Sequence, residues 1–548
     1  MADVHDELAR LRRWPLQRLP TGQNASMKEE EFTLWDAVGK NISRLQKPIW
    51  RVYTRNVSEV FTFYVLAVCL GLAADLNLGH ALRAEDRPYT RGVSQQTAAE
   101  SRAAPQPGVV ISHQVCAAHA DQSYALYLPS GYTPDKKWPI VYAFDPAARG
   151  RLPVDAMKVA AERYGYIVAG SNNSHNGAWK AQGEAVQALL EDTHALLSLD
   201  EHRVYFAGFS GGARLASSVA QRCKCAAGVV LNGAGFPVGA APSRDSVFAV
   251  FSAVGNLDFN YPEVTRLNDT LETAGFPHFL RYFEGVHEWA PALVMDEALA
   301  WFQLVAMKQK IAPRDDEFVA QRQAAALSRA QGFERSGDSY AAWREYRQSA
   351  ATLDGLASDA GVASLRQGAT ALASQKGVRE GAKREKQDFE EQNQLTGEIS
   401  AGLEAMRQVS TNLTSTFGAT SQKIIELRER SAHENHMEKL VVYRRAIAGV
   451  TVEAMEAGSD RLEAKDVTLA KDYFQLAVEA DPESAWALQS LAVARAMGND
   501  RKGTLEVLRQ AKERTKDMIG FLAWVREEPS FAKFREDPQF RALLTDVD

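Results

Sequence analysis

Short apolar runs of strand length alternate with polar, turn-forming stretches between residues 109 and 310, and beyond residue 311 the apolar positions recur at helical spacing instead. The runs at 139–144, 166–170, 204–207, 226–231, 247–251 and 279–283 read as strands. A small-residue stretch from Ala213 and the apolar stretch 292–308 read as helices. This pattern predicts an α/β class fold with a mostly parallel sheet over 109–310. Ile311-Ala312-Pro313-Arg314-Asp315-Asp316 marks its boundary, and residues 311–548, rich in Ala, Glu, Gln, Arg and Leu, predict an all-α domain.

Upstream the pattern changes again. Residues 1–58 are charged and contain tryptophan without a domain-like series of elements. Within the segment 59–82, positions 61–74 carry no charge, a run shorter than the roughly 20 residues of a spanning helix and similar to a signal-peptide core. Three readings stand for it: an export signal whose true start lies downstream of Met1, an uncleaved membrane tether, and a buried helix. The first two predict an exported, periplasmic or secreted, or membrane-anchored protein; the third fits a cytoplasmic one. Residues 83–108, ending in Ala103-Ala104-Pro105-Gln106-Pro107-Gly108, read as a linker.

The chemistry concentrates at Gly208-Phe209-Ser210-Gly211-Gly212, between the strand run 204–207 and the helix from Ala213. G-x-S-x-G in that context is a nucleophile elbow, whose glycines let a sharp strand-to-helix turn close and hold the serine hydroxyl exposed at a helix N-terminus. A serine needs a base and an orienting acid, in the chain order Ser, Asp/Glu, His. Asp258 follows the run 247–251 in the turn Gly255-Asn256-Leu257-Asp258, and His287 follows the run 279–283 in Glu284-Gly285-Val286-His287-Glu288-Trp289. Each sits just past a strand, where open α/β sheets carry their chemistry. Backbone N–H groups of Gly211 and, in the loop Asp145-Pro146-Ala147-Ala148-Arg149-Gly150, of Ala147 are the expected oxyanion donors, since Pro146 has none to give. Asn173 and Trp179, in the polar loop 172–179, together with Arg149, are candidate substrate-binding residues; Arg149 and Arg214 are cations suited to a substrate carboxylate.

With Tyr124-Ala125-Leu126-Tyr127-Leu128-Pro129 and Gly131-Tyr132, these motifs resemble the α/β-hydrolase superfamily over roughly residues 106–310. Within it the chain is similar to esterases of the polyhydroxybutyrate depolymerase, feruloyl esterase and dienelactone hydrolase kind. The resemblance implies an α/β-hydrolase fold and a serine hydrolase that cleaves a small-molecule or polymer-derived carboxylic ester, with no metal and no organic cofactor. Many relatives carry His-Gly where this chain has Asp145-Pro146, which leaves the oxyanion loop less defined than Ser210, Asp258 and His287. The later strands are joined without a long insertion, which predicts an open pocket with no large lid.

Near the end of the helical half, Gly458, Ala470, Phe474, Ala477 and Pro482, then Leu488, Leu491, Ala492, Leu508 and Ala511, fall into a frame that resembles tetratricopeptide repeats over 451–515. A weaker copy lies at 337–342 with Tyr346 and Ala350, and the polar stretch 379–428 suits long paired helices. Such domains bind protein segments, so a second reading is a catalytically silent hydrolase fold acting with its helices as an interaction module. A peptidase is a further option within the enzyme class.

Composition changes this picture little. The chain of 548 residues is 24% charged and 45% hydrophobic, as globular proteins are. A net charge of -6 gives no basic footprint, so nucleic acid is not an expected partner. Four cysteines make no disulfide scaffold, and Cys223-Lys224-Cys225 lacks the second pair of a zinc site. Cys223 and Cys225 read as small packed residues, with pairing of Cys116 to one of them left open.

Overall fold

A computed structural model describes residues 105–240, 242, 246–408 and 413–545. The readings for 1–58, 59–82 and most of the linker 83–108 therefore lie outside the described residues. Eight strands, β1 (Val110–Val115), β2 (Ser123–Tyr127), β3 (Trp138–Phe144), β4 (Ile167–Ser171), β5 (Leu199–Phe209), β6 (Ala226–Asn232), β7 (Ala249–Gly255) and β8 (His278–Phe283), form one sheet in the order β1-β2-β4-β3-β5-β6-β7-β8. β1 and β2 join antiparallel, and every pair from β4–β3 to β7–β8 is parallel. This is an α/β-hydrolase fold.

The apolar runs follow from this arrangement, because a parallel sheet is covered on both faces and its strands have no solvent side. Every residue of β3, β6 and β7 is buried, whereas the edge strand β1 is mostly not. On one face α1 (Arg151–Tyr164) packs with α5 (Ala292–Lys308) over Val141, Tyr205 and Phe251. The Phe302 ring stacks on Tyr205 at 4.5 Å. On the other, the Tyr142 hydroxyl meets Thr193 Oγ1 of α2 (Trp179–Leu196) at 2.8 Å. The remaining helices of this half are α3 (Gly211–Cys223) and α4 (Tyr261–Thr273). At the end of α3, Cys223 and Cys225 form a disulfide with each other, which corrects the reading of both as simple packed residues; Cys116 is buried outside that bond.

From Asp316 onward all elements are helical among the described residues: α6 (Asp316–Arg335), α7 (Ser339–Leu353), α8 (Asp359–Ala373), α9 (Lys376–Gln408), α10 (Leu413–His433), α11 (Met437–Glu463), α12 (Val467–Ala480), α13 (Ala485–Met497), α14 (Arg501–Arg514), α15 (Met518–Glu527), a 3₁₀ turn (Pro529–Phe534) and α16 (Pro538–Thr545). Their starts are written in the sequence. Asp315, Asp338, Asp466, Ser484, Asp500 and Asp517 each accept the backbone N–H three residues on, satisfying a donor the helix leaves unpaired. Of the 451–515 frame, Ala470, Phe474, Ala477, Leu488, Leu491, Ala492, Leu508 and Ala511 share one buried core, whereas Pro482 is half-buried outside it. No described helix is long and apolar enough to cross a membrane.

The helical half is built onto the sheet. As an edge strand, β8 leaves backbone donors free for pairing. Gln348 Oε1 of α7 accepts the Leu280 N–H at 2.6 Å, and Glu345 Oε2 accepts from Arg281 Nη1 at 2.7 Å. Trp301 Nε1 donates to Thr352 Oγ1 at 3.0 Å. At this seam a cavity of about 910 Å³ opens between α4, β8 and α7, lined by Asp269, His278, Tyr340, Trp343 and Arg347. None of Ser210, Asp258 and His287 lines it.

Candidate active site

Ser210 ends β5 and opens α3 with φ 53° and ψ -122°, a conformation that costs any residue with a Cβ. The backbone folds so tightly there that only glycine fits beside it. A Cβ on Gly208 would run into the Gly212 carbonyl, and one on Gly212 into the Phe144 carbonyl. The turn is anchored by the Ser210 N–H, which donates to Asn232 O at 2.9 Å. Gly211 is the first residue of α3, so its N–H has no carbonyl a turn back within the helix.

Asp258 and His287 come together from the ends of β7 and β8. His287 Nδ1 donates to Asp258 Oδ1 at 2.9 Å and lies 3.0 Å from Oδ2. Asp258 is completely buried, and its Oδ1 also accepts the Asn260 N–H at 2.8 Å. The imidazole lies between two rings, Phe209 at 4.5 Å and Phe259 at 4.3 Å. Gly233, at φ +58°, leaves room for the pair, since a Cβ there would lie 2.7 Å from Asp258 Oδ2. Contact with Phe209 puts the histidine next to the residue that precedes Ser210. Among the described residues no hydrogen bond joins Ser210 Oγ to His287, and catalytic hydrogen bonds of free enzymes are commonly long.

The loop after β3 departs from expectation. Ala147 is not a free oxyanion donor, because its N–H is directed at its own loop, to Asp145 Oδ1 at 2.8 Å. Arg149 is likewise committed: Nε reaches Asp145 Oδ1 at 2.8 Å and Nη2 reaches Oδ2 at 3.0 Å, so it anchors the loop instead of offering itself to a substrate. Asp145 itself is wholly buried and also accepts from Trp289 Nε1 at 2.8 Å. Asp145 thus ties the loop after β3 to the histidine loop, a role that sequence reasoning missed.

The remaining candidates divide. Asn173 binds the Ser123 N–H at 2.8 Å and the Asp121 carbonyl at 3.1 Å, so its carboxamide braces the β1–β2 turn and is not available to a substrate. Arg214 forks onto Glu263, with Nη1 to Oε1 at 2.9 Å and Nη2 to Oε2 at 3.0 Å. Trp179, 39% exposed, opens α2. Asn176, expected only as one member of the polar loop, has an exposed carboxamide that fills the space beside Gly211 where another residue would carry its Cβ. The Asn176 N–H donates to Pro146 O at 2.8 Å, and Ala147 bridges His175, so the loops after β3 and β4 lie side by side at the elbow. Its signal was the run of polar residues 172–176 directly after a strand.

Helices of the other half reach the loop that carries Asp258. Arg445 Nε of α11 donates to Asn256 O at 2.6 Å, and Gln392 Nε2 of α9 donates to Phe259 O at 2.8 Å. Arg445 also lies 3.8 Å from the Tyr261 ring centroid. These contacts come from the helical half, 189 and 133 residues along the chain, and not from an insertion between strands.

No protein-family model and no curated protein sequence matches the chain. Among solved structures it is similar to an S-formylglutathione hydrolase from Staphylococcus aureus, with 14% identity over 36% of this chain and 98% of that one, at a TM-score of 0.29. A ferulic acid esterase matches with 18% identity over 34% of this chain and 92% of that one, also at 0.29. An esterase from the archaeon Pyrobaculum calidifontis matches with 13% identity over 37% and 86%, at 0.30. These likenesses are of fold, and identities this low carry no activity across.

Proposed function

We propose that the protein is a serine hydrolase acting on a carboxylic ester, with Ser210 as nucleophile, His287 as base and acid, and Asp258 as the group that orients it. The observation that carries this reading is the buried Asp258–His287 pair beside a serine held in strained elbow geometry. Ser210 Oγ bonds to the ester carbonyl carbon while its proton passes to His287 Nε2. The C–O bond then breaks, the departing alcohol oxygen takes that proton, and an acyl-serine remains. Water repeats the sequence, giving its proton to His287 and releasing the acid with Ser210 restored. Asp258 holds Nδ1–H in place throughout and stabilises the imidazolium. The Gly211 N–H is one oxyanion donor, and the Asn176 carboxamide against Gly211 is the second, in place of Ala147.

The test is labelling of the full chain by a fluorophosphonate probe, beside Ser210→Ala, with hydrolysis of p-nitrophenyl acetate and butyrate followed in the same samples. Labelling and turnover that vanish together in the variant support the reading. A folded wild type that does neither refutes it. That outcome favours the second reading, a hydrolase fold that binds without turnover through its tetratricopeptide-like helices. The missing hydrogen bond between Ser210 and His287 is the observation that keeps this reading in view.

A further inference from the structure

Helix α11 crosses the catalytic face with one stripe of residues. Arg445 holds the Asn256 carbonyl, and Gly449 lies against Phe259, where an added Cβ would be 3.3 Å from the Phe259 Cβ. Residues 445, 449, 452 and 456 recur every three to four positions and so share one side of the helix. At 1.5 Å per residue, Glu456 stands about 10 Å beyond Gly449 along that side. There it comes within electrostatic reach of Arg214, four residues into the elbow helix, and of His287.

The carboxylate of Glu456 has neither an ion pair nor a hydrogen bond among the described residues, although its neighbours do. Arg214 is held by both oxygens of Glu263, and Asp460, one turn on, pairs with Arg407 at 3.7 Å. Solvent reaches Glu456, while the protein around it raises its carboxyl above the ordinary value, with Asp460 adding to this and Arg214, His287 and Arg407 opposing it. Its carboxyl is exposed and lacks a partner among the described residues. Of the two rings that flank His287, Phe209 is buried and Phe259, against which Gly449 of the same stripe lies, is partly exposed. A carboxylate on the same side as an accessible aromatic ring is the chemistry that receives an organic ammonium ion.

We infer that α11 forms a wall of the catalytic cleft and that Glu456 makes the site select esters carrying a cationic, ammonium-type group on their acyl or alcohol part. The inference rests on the serine-hydrolase reading. It assigns the helical half a share in substrate choice, and it accounts for the commitment of Arg149 and Arg214 to internal carboxylates, which leaves the cleft without a free cation among them.

Two isosteric pairs test it with the full chain. One is p-nitrophenyl 4-(trimethylammonio)butyrate against p-nitrophenyl 5,5-dimethylhexanoate, for a cation on the acyl side. The other is butyrylcholine against 3,3-dimethylbutyl butyrate, for the alcohol side. In the wild type kcat/KM favours the charged member of at least one pair. Glu456→Gln lowers that ratio about ten-fold, chiefly through KM, and Glu456→Lys inverts it. Melting curves of both variants confirm that they are folded. A ratio that moves less than two-fold in both pairs, with Ser210-dependent turnover intact, overturns the assignment of Glu456 alone. Absence of Ser210-dependent turnover in the wild type overturns this inference together with the function on which it rests.

Discussion

Replacing Ser210 by glycine isolates the strain stored in the elbow. At φ 53° and ψ -122° the backbone sits near the mirror image of polyproline II, which glycine adopts as readily as the ordinary form and which a residue with a Cβ resists. Strain of this kind is worth about 1–3 kcal/mol. Glycine gives back roughly 0.5–1 kcal/mol through its greater freedom in the unfolded chain. The Ser210 side chain makes no capping hydrogen bond to α3, so nothing else is lost with it. Ser210→Gly is therefore expected to be more stable than Ser210→Ala by about 0.5–2 kcal/mol, because alanine removes the hydroxyl and keeps the Cβ. Thermal unfolding followed by circular dichroism reads this as a rise in Tm on the order of 1–4 °C over the alanine variant. A glycine variant that melts at or below the alanine variant would refute the argument that the elbow stores strain.

Other substitutions probe the pair and the seam. Asp258→Asn keeps a group of the same shape beside His287 but removes the charge that stabilises its imidazolium, and kcat/KM for p-nitrophenyl butyrate should fall on the order of 10³–10⁴-fold with melting little changed. Glu345, whose side chain is 2% exposed, accepts from Arg281 and Arg329; Glu345→Ala leaves the buried Arg281 with Glu297 alone, and denaturant titration should record a loss of about 3 kcal/mol or more. Burial lowers the pKa of His194 and of His278, so the unfolded chain binds protons before the folded one as pH falls. Their contribution to stability is complete above about pH 6.5 and is lost below it, toward their folded values. Between pH 7.5 and 5 the wild type should lose stability more steeply than His194→Gln; equal slopes would count against this.

The readable and unreadable parts of the site differ in range. The positions of Ser210, Asp258 and His287 were legible because each follows a strand: the buried end of β5 and all of β7 are apolar runs, and the half-buried edge strand β8 still keeps apolar residues at most positions before the chain reaches its loop. Gly208 and Gly212 were legible for the same local reason, since a turn this tight admits no side chain. The loop after β3 was misread because the choice between Ala147 as a free donor and as a partner of Asp145 depends on where a carboxylate points. Trp289 fixes that direction from 144 residues away, and no spacing rule reports it. The role of Asn176 escaped for a related reason: its importance lies in filling the gap left by Gly211, a relation between two loops.

The helical half makes the same distinction on a larger scale. Its helix starts are local, written as Asp or Ser before each apolar stretch, and so are the small residues that let α11 to α14 share a core. Sequence alone thus determined an α/β-hydrolase sheet, the order of its candidate chemistry and an all-α continuation, because hydrogen-bonded periodicity and turn sterics act over a few residues. Only the tertiary structure decided that the helices cover the β8 edge and bring Arg445 and Gly449 against the loop of Asn256 and Phe259. Those contacts depend on which surfaces meet, and packing between distant segments is set by shape and charge that no single stretch of chain carries.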